Sequence, residues 1–333
     1  MVGYDGRIAG AAGPEEHRWP GSARPVSLVT GGGRGIGRAA AEALAAAGHA
    51  VVVVDTGVDL DGSNPRPEVA EAAVGAIVRA GGDALGLAVD ARTRAGAEEV
   101  VRAAAEWGGA TPTVLVHAAG TLRDAMVHKS TDDDWAEVLG CQLGVAVELT
   151  RALVAGLRDA GGGRIVYVGG AAGLVGNVGQ AGYAVAKAGL FGLTRAVALE
   201  LARLDACVNY LVPFAFTRMT EAIPPVTEAL RAYVEAAPGA GPADVAGTIA
   251  WLCSPAAAGI TGQVLGIRGA ELLAWSQPRP LRRLVAPGGW DADALDAARP
   301  ELEGALSPLE SEFDLFGGPP VPVAGPVRSG GPA

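Results

Sequence analysis

The sequence predicts an α/β protein built on one parallel sheet of seven strands with helices on both faces. Two observations carry this expectation. Short β-branched runs alternate with longer helical patterns, and a glycine-rich turn follows the first run and opens the first helix. Val26-Ser27-Leu28-Val29 reads as the first strand and 35–47 as a helix ended by Gly48. Residues 50–54 read as the second strand, 68–80 as a helix, 84–89 as the third strand and 95–107 as a helix. Val114-Leu115-Val116 is the fourth strand. Residues 132–158 read as one long helix capped by Thr131, and 164–168 as the fifth strand. A helix over 180–203 precedes the last two strands, 207–212 and 263–267.

Composition limits the function classes. The chain has 333 residues, 50% hydrophobic and 19% charged, enough for a large α/β domain. The expected organisation is a disordered extension over 1–25, one domain over 26–270, an extension over 271–316 packed on the domain or a partner subunit, and a disordered tail over 317–333. Mean hydropathy is +0.28, yet no uninterrupted apolar run reaches the roughly 18 residues of a membrane span. The first 25 residues have no apolar core of a secretory signal. Net charge is −10 with arginines scattered singly, which argues against nucleic acid as a partner. Three cysteines and four histidines fall in no metal-binding spacing, so reduced thiols in a cytoplasmic protein and no metal are expected.

The chemistry concentrates in two motifs. Thr30-Gly31-Gly32-Gly33-Arg34-Gly35-Ile36-Gly37 lies between strand and helix, where glycines let the backbone approach a pyrophosphate and the helix N-terminus supplies amide donors. Its spacing differs from G-x-G-x-x-G, and a purely structural turn is the bland alternative. Asp55 ends the second strand. A carboxylate there accepts from both ribose hydroxyls and repels a 2′-phosphate, favouring NAD(H) over NADP(H), while Arg34 pulls the other way. Asp90 closes the third strand, within reach of an adenine amino group. His117-Ala118-Ala119-Gly120 closes the fourth, where Ala118, Ala119 and Gly120 let a cofactor lie close and His117 reads as a packed strand-end histidine. In the second motif, Tyr183 and Lys187 are four residues apart on a helix and share one face. A nearby ammonium favours phenolate, which suits a tyrosine acting as acid or base.

The ordered set Thr30 to Gly37, Asp55, Ala118-Ala119-Gly120 and Tyr183-x3-Lys187 resembles the short-chain dehydrogenase/reductase family over about residues 25–270. Four further features resemble the branch containing the (3R)-hydroxyacyl-CoA dehydrogenase domain of peroxisomal multifunctional enzyme 2 and its bacterial relatives. They are the 55–82 insertion with Ala80-Gly81-Gly82-Asp83-Ala84, then Leu122-Arg123-Asp124, Gly176-Asn177-Val178-Gly179-Gln180 and Thr217-Arg218-Met219-Thr220-Glu221. The resemblance implies a doubly wound Rossmann-type fold, a nicotinamide cofactor, and homodimers or homotetramers. It also implies that Tyr183 is the acid/base, that Lys187 holds the nicotinamide ribose, and that Pro213, Phe216 and Thr217 contact the cofactor.

The sequence departs from that family at the reacting centre. The usual catalytic serine is Gly170, preceded by Gly169, with no Ser or Thr over 161–192. The helix position that commonly carries the relay asparagine is Gln142, the Asn-Asn-Ala-Gly motif begins with His117, and the Pro-Gly after the sixth strand reads Pro213-Phe214. Phe214 and Phe216 are expected beside the nicotinamide or substrate. Loss of one oxyanion donor costs on the order of 10²- to 10³-fold in rate. Three readings therefore stand: an NAD(H)-dependent oxidoreductase of a thioester or specialised metabolite; a non-redox dehydratase, cyclase or isomerase using Tyr183 as proton donor; and a catalytically silent nucleotide-binding partner subunit.

Overall fold

A computed structural model describes residues 24–215, 217–221, 231 and 241–316. The expected α/β order is present, with eight strands in the sheet instead of seven. In chain order the elements are β1 (Val26–Thr30), α1 (Gly35–Ala46), β2 (Ala50–Val54), α2 (Glu68–Arg79), β3 (Asp83–Leu87), α3 (Arg94–Gly108) and β4 (Val114–His117). Then come α4 (Asp132–Leu139), a π turn (Gly140–Gly144), α5 (Val145–Asp159), β5 (Gly162–Val168), α6 (Ala172–Val175), α7 (Ala181–Glu200), β6 (Asp205–Phe214), α8 (Arg218–Glu221), α9 (Pro242–Leu252), β7 (Val264–Arg268) and β8 (Glu271–Ala274).

The sheet runs β3-β2-β1-β4-β5-β6-β7-β8, parallel except for β8, which pairs antiparallel with β7. β8 was missed because Glu271-Leu272-Leu273-Ala274 lacks a β-branched run and lies just past the expected domain limit of 270. Every residue of β1, β2 and β5 is buried, as a parallel sheet covered on both sides requires. Alternate residues feed two cores. Leu28, Val52 and Val54 join Val100, Leu149, Leu153 and Leu190 on one face, while Val29, Val51 and Val53 join Leu44, Ile77 and Ile249 on the other.

The long helix expected over 132–158 is interrupted. Thr131 caps α4 through a capping box with Asp134, but Gly140–Gly144 form a π turn before α5 resumes. A π turn inside a long helix re-aims the side chains beyond it. On length and composition Asp132–Asp159 would reach across a membrane. Its buried residues Val145, Leu149, Leu153 and Leu157 are instead the face that packs on the sheet.

Both ends of the domain are tied down. Arg24, expected in a disordered extension, donates to the carbonyls of Gly48 and His49 and pairs with Asp83. In the C-terminal extension, Glu312–Phe316 is helical and docks on the domain. Glu312 N–H donates to Asn177 Oδ1 (3.0 Å), Asn177 Nδ2 donates to Glu312 Oε2 (3.1 Å), and Phe316 packs against Phe214 and Trp275. A further helix in this extension spans Ala292–Glu303. The tail over 317–333 lies outside the described residues.

Candidate cofactor and reaction site

The chain reverses direction across the sheet between β1 and β4, whose ends pair Thr30 with His117. Such a switch point opens a crevice at the carboxyl ends of the strands, where ligands bind in doubly wound sheets. Here a cleft of about 670 Å³ occupies it.

The glycine turn is built for close approach. A Cβ on Gly31 would lie 2.8 Å from the Ala119 backbone, and one on Gly37 would collide with the carbonyl of Gly31. Gly31 and Gly35 both have positive φ. At Gly35 the only neighbour of such a Cβ among the described residues is Thr217 Cγ2 at 3.8 Å, and Gly35 lines the cleft. Asp55 is half-buried beneath the turn, where Oδ2 accepts from Gly33 N–H (2.8 Å) and Oδ1 from Gly57 N–H (2.7 Å). Each oxygen keeps a second lone pair for a ribose hydroxyl. These observations fit a dinucleotide.

Thr30, Gly31, Arg34, Gly35, Ile36, Gly37, Asp55, Asp90, Ala118, Ala119, Gly120, Tyr183, Lys187, Pro213 and Thr217 all line the cleft. Phe216 lies outside the described residues. Asp90 is at the rim, with both carboxylate oxygens engaged by Arg92, which holds its carboxyl below the usual range. Arg34 is committed to the insertion, donating to Gly57 O and Val58 O at 3.1 Å.

The first part of the 55–82 insertion, 56–67, is rich in Gly, Asp and Pro. It folds over one end of the cleft and contributes Thr56, Val58, Gly62 and Pro65 to its wall. Leu122 N–H donates to Leu60 O (2.7 Å) and Arg123 to Asp61 O (2.8 Å), so the loop bridges from Asp55 to the segment after β4. Arg218 and Met219 of the Thr217–Glu221 motif also line the cleft, as do Glu137 and Cys141, which carried no sequence signal because they arrive from the α4 and π-turn segment.

Tyr183 and Lys187 meet as helix geometry predicts. Lys187 is buried, its Nζ donates to Val168 O (2.8 Å) and lies 5.4 Å from the centre of the Tyr183 ring. Burial lowers its ammonium to about 8, so it is charged at neutral pH and loses charge as pH rises through that value. Tyr183 Oη stands close against position 170: a Cβ on Gly170 would lie 2.9 Å from it.

Gln142 lies in the π turn, buried under Gly120 and outside the cleft lining. Its Nε2 donates to Thr121 O (2.8 Å), and its Oε1 accepts from no group among the described residues. His117 is buried, as read. Nε2 lies 2.7 Å from Gln142 O, which only accepts, so Nε2 carries the proton and Nδ1 accepts from Thr30 Oγ1 (2.8 Å). Burial, with help from the Lys187 charge, pushes His117 down to about 3.

Phe214 is not beside the reacting centre. It is buried against Phe316, ring centres 4.5 Å apart, and does not line the cleft. Side chains alternate along a strand, so with Pro213 facing the cleft its neighbour faces away.

A switch-point cleft with a glycine turn, Asp55 beneath it and a Tyr/Lys pair at its far end defines a doubly wound α/β protein with a ligand cleft. Comparison with known proteins gives the family. A family profile described as "Enoyl-(Acyl carrier protein) reductase" matches residues 31–269. The chain is 36% identical over 299 residues to the hydroxyacyl-CoA dehydrogenase ChsB1 of Mycobacterium tuberculosis, spanning 86% of this chain and 90% of that protein. It is 36% identical over 247 residues to the 3-oxoacyl-[acyl-carrier-protein] reductase FabG of Vibrio cholerae, spanning 73% and 96%. A crystal structure of a short chain dehydrogenase from Mycobacterium avium superposes with a TM-score of 0.72 at 33% identity, covering 87% of this chain and 98% of that one. The chain belongs to the short-chain dehydrogenase/reductase family, whose members use nicotinamide cofactors.

Proposed function

We propose that the protein is an NAD(H)-dependent oxidoreductase that interconverts a 3-oxoacyl and a 3-hydroxyacyl thioester. The observation that carries this is Tyr183 Oη standing against Gly170 with the buried Lys187 ammonium behind its ring. The names of two relatives, a hydroxyacyl-CoA dehydrogenase and a 3-oxoacyl-[acyl-carrier-protein] reductase, support the thioester class. Asp55 supports NAD(H), because a carboxylate aimed at the ribose would meet a 2′-phosphate with like charge. Exposed Val185 and Leu199 on α7 support a homodimer or homotetramer.

A bound nicotinamide supplies or takes the hydride at the substrate carbon. The chain's residues handle the proton. In reduction Tyr183 Oη gives its proton to the substrate oxygen; in oxidation it takes one back. Lys187 holds positive charge against the phenol as the proton leaves and would hold the nicotinamide ribose. Gln142 Oε1 would accept from a water that resupplies the proton.

The test is NADH oxidation by the purified full chain with acetoacetyl-CoA and longer 3-oxoacyl-CoA thioesters, followed by product analysis. Thioester-dependent NADH consumption is expected. Absence of turnover across that panel with both NADH and NADPH would refute the reading. A non-redox reading is favoured by one observation, the missing hydroxyl at Gly170. It predicts dehydration or isomerisation with the nicotinamide unchanged, which the same product analysis separates.

A further inference from the structure

Gly170, which stands where the catalytic serine is expected, and its neighbour Gly169 both contact one tyrosine, Tyr210. A Cβ on Gly169 would fall inside the ring of Tyr210, so the Tyr210 ring occupies the volume a side chain at 169 would need. The Tyr210 hydroxyl then makes two hydrogen bonds to the next residue: it accepts from Gly170 N–H (3.0 Å) and donates to Gly170 O (2.8 Å). Tyr210 is fully buried on β6, braced edge-on by Phe191 at 6.2 Å, and burial pushes its phenol well up, so it stays neutral and can do both. Against the same residue stands Tyr183, whose hydroxyl would lie 2.9 Å from a Cβ at 170.

We propose that Tyr210 is the positioning residue of this reacting centre, and that Gly169, Gly170 and Tyr210 form one exchanged unit. Resting on the oxidoreductase reading, the exchange removes a donor hydroxyl from the substrate side and places a hydroxyl behind the strand end. Tyr210 clamps the Gly170 peptide, the clamped peptide sets how close Tyr183 Oη can come, and Tyr183 alone donates to the substrate oxygen. A serine at 170 must therefore push the Tyr183 hydroxyl aside while Tyr210 holds the peptide.

The unit predicts a reversal of sign between two backgrounds. In the wild type, Gly170→Ser pushes against Tyr183 Oη and lowers kcat. Tyr210→Phe keeps the ring over Gly169 but removes both hydrogen bonds, and kcat falls about 10- to 100-fold with the KM for NADH changed less than about 3-fold. In the Tyr210→Phe background the released peptide can retreat, and adding Gly170→Ser raises kcat again. A gain from Gly170→Ser in the wild type, or an unchanged kcat in Tyr210→Phe, would overturn the proposal.

Two readouts need no turnover and separate this proposal from the substrate assignment. Amide hydrogen exchange of the peptide containing Gly170 in the full chain should speed up at least about 10-fold in Tyr210→Phe while β1 and β4 stay protected. Ultraviolet pH titration, taken as the difference between each protein and its Tyr183→Phe counterpart, should show the Tyr183 phenol titrating at a different pH once Tyr210 is Phe. An unmoved Tyr183 titration with unmoved exchange refutes the clamp even if the thioester reading stands. Faster exchange and a shifted titration sustain it even if no thioester is turned over.

Discussion

The two halves of the cleft obey different rules. At the cofactor half, three glycines answer to fixed neighbours: Gly31 to Ala119, Gly33 to Val69 and Asp55, Gly37 to the carbonyl of Gly31. These contacts are backbone or short side chain, so the positions have no freedom to change, and the motif stays readable. At the reacting half, the glycines answer to long side chains. Gly169 faces the Tyr210 ring and Gly170 faces the Tyr183 hydroxyl. Long side chains can be exchanged along with the residue they touch, so the chemistry there can be rewritten without disturbing the fold.

The sharpest way to break the contrast is at Tyr183. Tyr183→Phe removes the proton donor and leaves the ring in place. Turnover should fall about 10³-fold, within the usual range for general acid–base catalysis, while NADH affinity measured by fluorescence changes less than about 3-fold. A matching loss of affinity would show that the two halves are not separable. Gly37→Ala should do the opposite. Its methyl collides with the Gly31 carbonyl, so the turn must open, and NADH affinity should drop on the order of 100-fold despite alanine's better helix propensity. Isothermal titration calorimetry reads this directly, and retained affinity would show that the turn is not the pyrophosphate cradle.

Asp55→Asn tests the cofactor half more gently. Asparagine can keep one bond to the turn amides but removes the like charge that would face a 2′-phosphate. NADH affinity should fall about 10-fold and NADPH should gain relative to it. An unchanged ratio of the two affinities would move the source of cofactor choice away from Asp55.

What the sequence revealed follows the same division. The strand and helix order, the glycine turn and the Tyr/Lys pair rest on local spacing, and local spacing is what a sequence displays. β8 escaped because its four residues have no β-branched run and owe their pairing to β7. The π turn escaped because Gly140 and Gly144 look like tolerable helix glycines, although the carbonyl of Gln142 between them is taken by His117, 25 positions earlier. Phe214 was placed by analogy with its neighbour Pro213, but strand alternation sends it to the Phe316 side. The Tyr210 clamp joins residues 40 positions apart, and nothing near Gly170 in the chain announces it.

His117 joins the two halves, and its effect is the smallest on turnover. One ring nitrogen accepts from Thr30 in the glycine turn, and the other donates to the π-turn carbonyl of Gln142. The present pattern requires a neutral ring, since a proton on Nδ1 would force the Thr30 hydroxyl to turn from donor to acceptor. Burial holds His117 neutral to about pH 3, and burial with the Arg24 charge holds His49 neutral to about pH 4. In the unfolded chain both protonate near pH 6.5. A depressed folded value gives stability that is full above pH 6.5 and is lost as pH falls toward the folded value. At pH 5 each histidine should therefore cost about 2 kcal/mol of folding stability relative to pH 7. His117→Asn retains a donor and an acceptor but cannot titrate. Denaturant melts at pH 7 and pH 5 should show this variant losing about half of the histidine-linked acid sensitivity, with His49 responsible for the remainder. Equal acid sensitivity in the variant and the wild type would mean that the link between the turn and the π turn survives protonation, and that the two halves are coupled by packing alone.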